Sequence, residues 1–507
     1  MPRHRLARVA LLATVFVCAA CGLVYELSLV TLGSYLLGDT AAQASITLSV
    51  MVCAMGVGAL VAKPLRAHAA AAFVAVELAL AVVGGLSVAV LYASYAWLDI
   101  YTGALVVAAA VIGMLVGAEI PLLMELLQEI RRQEASSAVA DLFAADYVGA
   151  LLGGLAFPFL LLPVFGQIRG TLVVGIVNAI AGLALAFFFF RDRMTRGARR
   201  SLIAATVAVA CGLSGSFLYA DRFEAAAQQA LFASPIVWQA RTPYQQIVLT
   251  ESTAGGETDT RLYLNGKLQF ASIDEYRYHE ALVHPVLAES RRSVLVLGGG
   301  DGLALREILR YPDIDRVTLI ELDPAMITLA RTHPRLTELN EHAFDDPRVR
   351  VINTDAFTWL RSAPELFDAV IIDVPDPDQT SVAKLYSREF YAMTAHVLAP
   401  GGRLVVQSGS PTIAPRTFWT IDATVASAGL RTTPYHVDVP SFGEWGFVLA
   451  ATTTPTPAMR SPVPLRSLDD ATLAAATVFP AEHRAVDAEI STLMRPVILD
   501  LQRQEWR

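Results

Sequence analysis

The chain has 507 residues, of which 54% are hydrophobic and 17% charged, with a formal net charge of −8; this is too apolar for one soluble domain and leaves room for two or three. Up to Ala220 there are 13 basic and 11 acidic residues, which leaves 26 basic and 36 acidic residues beyond it. A second half with a net charge of −10 suits a cationic ligand better than nucleic acid.

Spanning a hydrocarbon core takes roughly 20 apolar residues as a helix. Seven stretches qualify: 7–30, 42–62, 70–93, 102–124, 141–162, 170–190 and 201–219. The first begins with a basic segment like a secretory signal, but its apolar run continues too far and more runs follow, so it reads as a retained anchor. Basic residues fall at Arg3, Arg5 and Arg8, then Lys63 and Arg66, then Arg131 and Arg132, then in "RDRMTRGARR" at 191–200, whereas the intervening loops 31–41, 94–101 and 163–168 hold none. That alternation predicts a multi-pass protein of the cell membrane with a cytoplasmic N-terminus. Seven crossings would place everything after Ala220 outside. Glu26, Glu77 and Glu119 fall inside the apolar stretches, either lining a polar path for a cation or hydrogen-bonded within the helix packing. Gly113-x-x-x-Gly117 and Gly149-x-x-x-Gly153 predict close helix contacts. All four cysteines, Cys18, Cys21, Cys53 and Cys211, lie in apolar stretches, so the second half has no disulfide framework.

After Ala220 apolar and charged residues interleave. "QIVLTES", a polar turn and "RLYLNGKLQFAS" read as short strands, with Asn265-Gly266 as a hairpin signal. From Val294 the pattern alternates between strand and helix: "SVLVLG", a helix over 303–311, "VTLIELD", a helix over 324–333, "VRVINTD", "DAVIIDV", a helix over 388–398 and "GRLVVQS". Apolar strands separated by helices predict a parallel sheet covered on both faces. "TPYHVDVPS" and "EWGFVLAAT" read as a closing antiparallel pair, and a Pro-rich linker leads to a helical tail from about Asp469. The expected division is a transmembrane domain of about seven helices (1–220), a linker and β-rich lead-in (221–273), a Rossmann-like domain of the S-adenosylmethionine methyltransferase kind (274–453), and a linker with helical tail (454–507).

In such sheets ligands bind beyond the carboxyl ends of the strands. There the sequence places Gly298, Gly299, Gly300 and Asp301 after the first strand, Glu321 after the second, Asp355 after the third, and Asp373 with Asp376 after the fourth. A glycine turn followed about 20 residues later by an acid is a nucleoside arrangement, the acid taking the ribose hydroxyls. The competing reading is that strand-end acids cap the following helices, and for Asp323 before Pro324 that reading is preferred. Asp301 within the turn would repel a pyrophosphate or the carboxylate of S-adenosylmethionine. It would attract an adenosyl sulfonium whose tail ends in an ammonium. Asp373-x-x-Asp376 puts two acids on one loop, one to accept a proton from an attacking amine and one to hold a far ammonium. A sulfonium leaving group needs no metal, and His/Cys metal spacing is absent.

"YQQIVLTE", "LNGKLQFASIDEYRYHEALVHP", "VLVLGGGDGLALRE", "LIELD", "DDPRVRVINTDAF", "FDAVIIDVPDPD", "LYSREFY" and "LAPGGRLVVQS" together resemble the spermidine synthase (polyamine aminopropyltransferase) family over roughly 235–450. "GLVYELSLVTLGSYLLGDT" and "GAEIPLLMELL" resemble the membrane domain of its transmembrane branch. The resemblance implies decarboxylated S-adenosylmethionine as co-substrate, no other cofactor, putrescine or a related amine as acceptor, a lipid bilayer around the first half, and a homo-oligomer. It implies that Glu321 holds the ribose, Asp355 and Ala356 the adenine side, and Asp301 the aminopropyl ammonium. It also implies that Gln245, Tyr278 and His279 line the amine channel, that Asp376 binds the acceptor, and that Asp373 is the proton acceptor. One departure stands out: soluble members often follow Asp-x-x-Asp-Pro with Gly-Pro, where this chain has "DQTSVAKLY". A cytoplasmic co-substrate also conflicts with the outward placement that seven crossings imply. His284 reads as a surface or core histidine, and Tyr386, Phe390 and Tyr391 as helix packing, with Tyr386 the one expected to reach the site. A methyltransferase on the same fold, or a polyamine sensor or transporter, are the alternative functions.

Overall fold

Apolar stretches longer than one helical crossing fold here as helices packed on one another through their smallest residues. A computed structural model describes residues 2–37, 40–130, 135–189, 196–363, 365–462, 464–484 and 488–506; Arg131, Arg132 and 191–195, used above for orientation, lie outside them. The chain divides into two units, Met1–Ala233 and Ser234–Arg507. The first consists of α1 (Pro2–Leu37), α2 (Thr40–Val61), α3 (Ala69–Ala93), α4 (Tyr101–Ile130), α5 (Ala135–Ala156), α6 (Leu162–Phe189) and α7 (Arg196–Ala230). Helix α7 continues ten residues past the expected boundary at Ala220, because "DRFEAAAQQA" contains no helix breaker before Ser234-Pro235.

Six of the described helical runs are long and apolar enough to cross a bilayer. The fifth, Ala140–Leu185, joins two of the seven expected stretches. Gly166 interrupts it with φ 70° and ψ −174°, a conformation open to glycine. On one side of this break, a Cβ on Gly149 or Gly153 would sit 2.2 Å from Phe16 O or 2.4 Å from Ala20 O; on the other, Cys21 Sγ lies 3.8 Å from Val174 O. Both halves therefore run along the same part of α1, and the chain doubles back between them. Gly113 and Gly117 bring α4 equally close to α2, where a Cβ would stand 2.6 Å from Met51 O and 2.1 Å from Met55 O. Glu77 and Glu119 turn into this bundle and are buried, with Asn178 Nδ2 donating to Glu77 O at 3.2 Å, whereas Glu26 is half-buried.

The second unit opens with a four-stranded antiparallel sheet, β1 (Ile236–Arg241), β2 (Gln246–Ala254), β3 (Glu257–Leu264) and β4 (Lys267–Ala271). Asn265 and Gly266 both have positive φ, 50° and 78°, as the two-residue hairpin requires. After α8 (Glu275–Val283) come β5 (Ser293–Gly298), α9 (Leu303–Leu309), β6 (Arg316–Glu321), α10 (Pro324–Thr332), α11 (Pro334–Leu339), β7 (Val349–Asn353), α12 (Ala356–Leu360), β8 (Phe367–Asp373), α13 (Thr380–Ala383), α14 (Arg388–His396), β9 (Leu398–Gln407), α15 (Pro415–Ser427), β10 (Arg431–Val439) and β11 (Gly443–Ala451). The seven strands β5–β11 form one sheet in the order β10-β11-β9-β8-β5-β6-β7, in which only β11 runs against its neighbours. Val294–Leu297 and Ala369–Ile372 are buried on both faces, which is why these strands read as unbroken apolar runs. Strand order reverses between β5 and β8, and Gly298 pairs there with Asp373. The tail is not a free appendage: α16 (Asp470–Ala476) and α17 (Val497–Glu505) pack on this unit, with Leu473, Ile498 and Leu499 buried among its core residues.

Candidate active site

The turn after β5 is pressed against β8. A Cβ on Gly298 would stand 2.0 Å from Asp373 O, and Gly299 N donates to that oxygen at 3.0 Å, with φ of 86° and 64° at the two glycines. Gly300 faces Glu321, whose Oε2 a Cβ would approach to 2.7 Å. These glycines thus bring three strand ends together at the point where the strand order reverses, where a doubly wound sheet leaves its crevice.

The crevice is a cavity of about 240 Å³. Gly298, Gly299, Gly300, Asp301, Glu321, Asp355, Ala356, Asp373 and Asp376 line it from the strand ends, and Gln245, Tyr278 and His279 from the preceding segments. All twelve residues singled out from the sequence share this one cavity.

Its carboxylates differ in state. Asp373 is half-buried at the end of β8, and burial, with Asp301 nearby, pushes its carboxyl up to about 6. Tyr278 opposes this by donating its hydroxyl to Asp373 Oδ1 at 2.6 Å. Burial also raises Asp301, although Leu303 N donates to its Oδ1 at 2.9 Å. Burial pushes Glu321 up to about 7, while Asp323 N donates to its Oε1 at 2.9 Å. Asp376 too is raised by burial; its Oδ1 accepts from Gln407 Nε2 at 3.3 Å and its Oδ2 from Gln502 Nε2 at 3.2 Å. For Asp355 burial is overcome by Lys384 Nζ at 2.6 Å and by Thr358 N at 2.8 Å, which hold it below its ordinary value. Asp355 therefore caps α12 and lines the cavity at once. Asp323 caps α10 through Ala325 N, and its second oxygen accepts from Thr242 Oγ1 at 2.8 Å and from Gln245 Nε2 at 3.1 Å.

His279 lines the same cavity as Lys267 and Lys384. Burial alone would lower it, but Glu275 Oε2 at 2.8 Å from Nδ1 wins and raises it to about 9. Glu275 is anchored by Arg306, which reaches its two oxygens at 2.9 and 3.0 Å, and despite burial it is lowered to about 2 by His279 and Arg306. His284 is a core residue, fully buried between Tyr311 Oη at 2.6 Å and Glu307 Oε2 at 3.1 Å.

Tyr386 does not reach the cavity. It is fully buried, and its hydroxyl bonds Val374 O and Pro375 O at 3.3 and 3.1 Å, bracing the Asp373–Asp376 loop from behind; an aromatic beside two carbonyls that need donors settles there. Phe390 and Tyr391 are core packing. Gln407, Trp445, Lys267, Asp378 and Lys384 also line the cavity, and Lys267 pairs with Asp378 inside the segment that departs from the Gly-Pro pattern. No local signal marks these residues, except that Gln407 ends a strand.

Parallel strands ending in a glycine turn and four acids around one crevice are the arrangement of a Rossmann-like, nucleoside-binding enzyme. Residues 275–460 match the spermine/spermidine synthase domain. The chain is 56% identical over 505 residues to polyamine aminopropyltransferase 1 of Streptomyces coelicolor, covering 99% of this chain and 95% of that protein. It is 50% identical over 514 residues to the polyamine aminopropyltransferase of Mycobacterium tuberculosis, covering 98% and 97%. A crystal structure of spermidine synthase in complex with the transition-state analogue AdoDATO is 24% identical, with a TM-score of 0.45, and covers 48% of this chain and 85% of that one. The chain belongs to the polyamine aminopropyltransferase family.

Proposed function

We propose that this protein is a membrane-bound aminopropyltransferase that moves the aminopropyl group of decarboxylated S-adenosylmethionine to putrescine, giving spermidine and methylthioadenosine. The observation that carries this reading is the pairing of Asp373, hydrogen-bonded to Tyr278, with Asp376 on one loop of a cavity that also holds Asp301. Glu321 takes the ribose hydroxyls, Asp355 and Ala356 the adenine side, and Asp301 the donor's ammonium. Asp376 holds the far ammonium of the diamine, and Gln245, Tyr278 and His279 line its channel.

A diamine nitrogen resembles Lys, with a pKa near 10, so only about one in a thousand is a free nucleophile at neutral pH. Asp373 takes the proton from the attacking nitrogen. The nitrogen lone pair forms the new N–C bond at the carbon beside sulfur, and the C–S electrons pass to sulfur, which leaves as a neutral thioether. The protein's share is proton acceptance and alignment of two cations. Helices α1–α7 embed the first unit in the bilayer, with the N-terminus cytoplasmic.

The test is mass spectrometry of full-length protein incubated with an equimolar mixture of S-adenosylmethionine and its decarboxylated form, plus putrescine, cadaverine and spermidine. Methylthioadenosine and spermidine are expected, falling by about 10²–10⁴ in Asp373→Asn while donor binding persists. S-Adenosylhomocysteine as product would overturn the reading.

A further inference from the structure

The matched family domain ends at residue 460, yet one of the two donors to Asp376 comes from position 502. Gln502 is 2% exposed and lies on α17, whose position is fixed at several points. Ile498 and Leu499 are buried with Phe390 and Phe418. The carboxylate of Glu505 accepts from Arg416 N, Thr417 N and Thr417 Oγ1 at 3.0, 2.9 and 2.7 Å, joining α17 to the first turn of α15. Arg503 Nε donates to Asp378 O at 3.3 Å. The tail therefore grips the loop at Asp376 and again two residues on. Gln407 and Gln502 each give one neutral amide donor to a different oxygen of Asp376. Amide donors orient a carboxylate without neutralising it, so its charge stays available to a cation.

We propose that Gln502 is a positioning residue for the acceptor: by holding Oδ2 of Asp376 it fixes the spacing between Asp376 and Asp373, and with it the length of diamine that is accepted. This rests on the assignment of Asp376 to the far ammonium. In this chain the C-terminal tail, beyond the matched domain, thereby takes part in acceptor choice.

The test compares Gln502→Met, which keeps volume but removes the donor, with Gln502→Lys, which places an ammonium on Asp376. Initial rates are measured on full-length protein with 1,3-diaminopropane, putrescine and cadaverine. Gln502→Met is expected to raise KM for putrescine on the order of tenfold and to narrow the preference among the three diamines. Gln502→Lys is expected to raise that KM further, by competing with the substrate ammonium. KM for the nucleoside donor is expected to hold in both. Equal effects of Met and Lys, an unchanged ranking of diamines, or a matching rise in donor KM would make the residue merely structural and overturn the proposal. Asp376→Asn, assayed alongside, separates the two layers: a wild-type KM for putrescine there would remove the assignment of Asp376, and this proposal with it.

Discussion

Replacing Tyr278 by Phe removes one hydrogen bond and almost no volume. The lost bond is the 2.6 Å donation from the phenol to Asp373 Oδ1, a carboxylate already raised to about 6 by burial and by Asp301. A hydrogen bond to a charged group contributes about 1.5–3 kcal/mol, and one pKa unit corresponds to about 1.4 kcal/mol. Removing the donor destabilises only the ionised form of Asp373, so its pKa should climb by roughly one to two units. Because Asp373 must be ionised to accept a proton, activity in the wild type should rise with pH through about 6 and in the variant through roughly 7 to 8. At pH 7 the variant should run several-fold below wild type, and above pH 8 the gap should close. The assay is kcat/KM for the nucleoside donor at saturating diamine from pH 5.5 to 8.5. A variant-to-wild-type ratio that stays flat over this range, whatever its size, would refute the role given to Tyr278 and to Asp373 as proton acceptor.

Two other outcomes follow from the same cavity. His279 is raised from 6.5 to about 9, so its ion pair with Glu275 stabilises the fold fully below pH 6.5 and that contribution is lost as pH rises through 9; Glu275, lowered from 4.5 to about 2, contributes above pH 4.5 and loses this as pH falls through 2. Thermal unfolding in detergent should therefore show stability declining between pH 6.5 and 9 by up to about 3 kcal/mol, and Glu275→Gln should flatten that decline; a wild-type profile as flat as the variant's would count against the ion pair. Gly300 lies outside the left-handed region, so Gly300→Ala costs no backbone strain, but its Cβ would come within 2.7 Å of Glu321 Oε2 and displace it. Initial-rate kinetics should show donor KM raised by about tenfold with diamine KM unchanged, and a rise in diamine KM instead would move Glu321 away from the nucleoside.

The strand-end acids were legible because they obey local rules. Val294–Leu297 and Ala369–Ile372 are buried on both faces, so their apolar runs end where the sheet ends, and the next polar residue must stand at the crevice. Glu321, Asp355, Asp373 and Asp376 were found in this way, and the Asn265-Gly266 turn from backbone chirality alone. Asp355 shows the limit of the rule. A carboxylate one residue before a helix satisfies a capping site and a ligand site by the same placement, and Thr358 N takes one oxygen while Lys384, 29 residues away, takes the other. The break at Gly166 falls inside the loop expected at 163–168, and the contacts of both flanking helices with α1 show that the chain doubles back there.

What the sequence could not indicate is who holds the acids in place, and this is a matter of distance along the chain. A buried carboxylate without donors loses its hydration uncompensated, so each acid of the crevice had to find partners wherever the fold brought amides, hydroxyls or cations within reach. Asp376 found Gln407 at a separation of 31 residues and Gln502 at 126. Gln407 reads only as the end of a strand, and Gln502, a glutamine on an amphipathic helix, reads as solvated surface. A pattern search therefore recovers the groups that face the ligand and misses those that aim them. Tyr386 illustrates the converse: it reads as helix packing and as the aromatic expected to reach the site, and it packs behind the loop, where its hydroxyl meets two loop carbonyls. The departure after Asp376 has the same origin. In the segment that lacks Gly-Pro this loop is held by Lys267 on Asp378 and by Arg503 on its carbonyl, so side chains from β4 and from the tail constrain a backbone that has neither residue to do so.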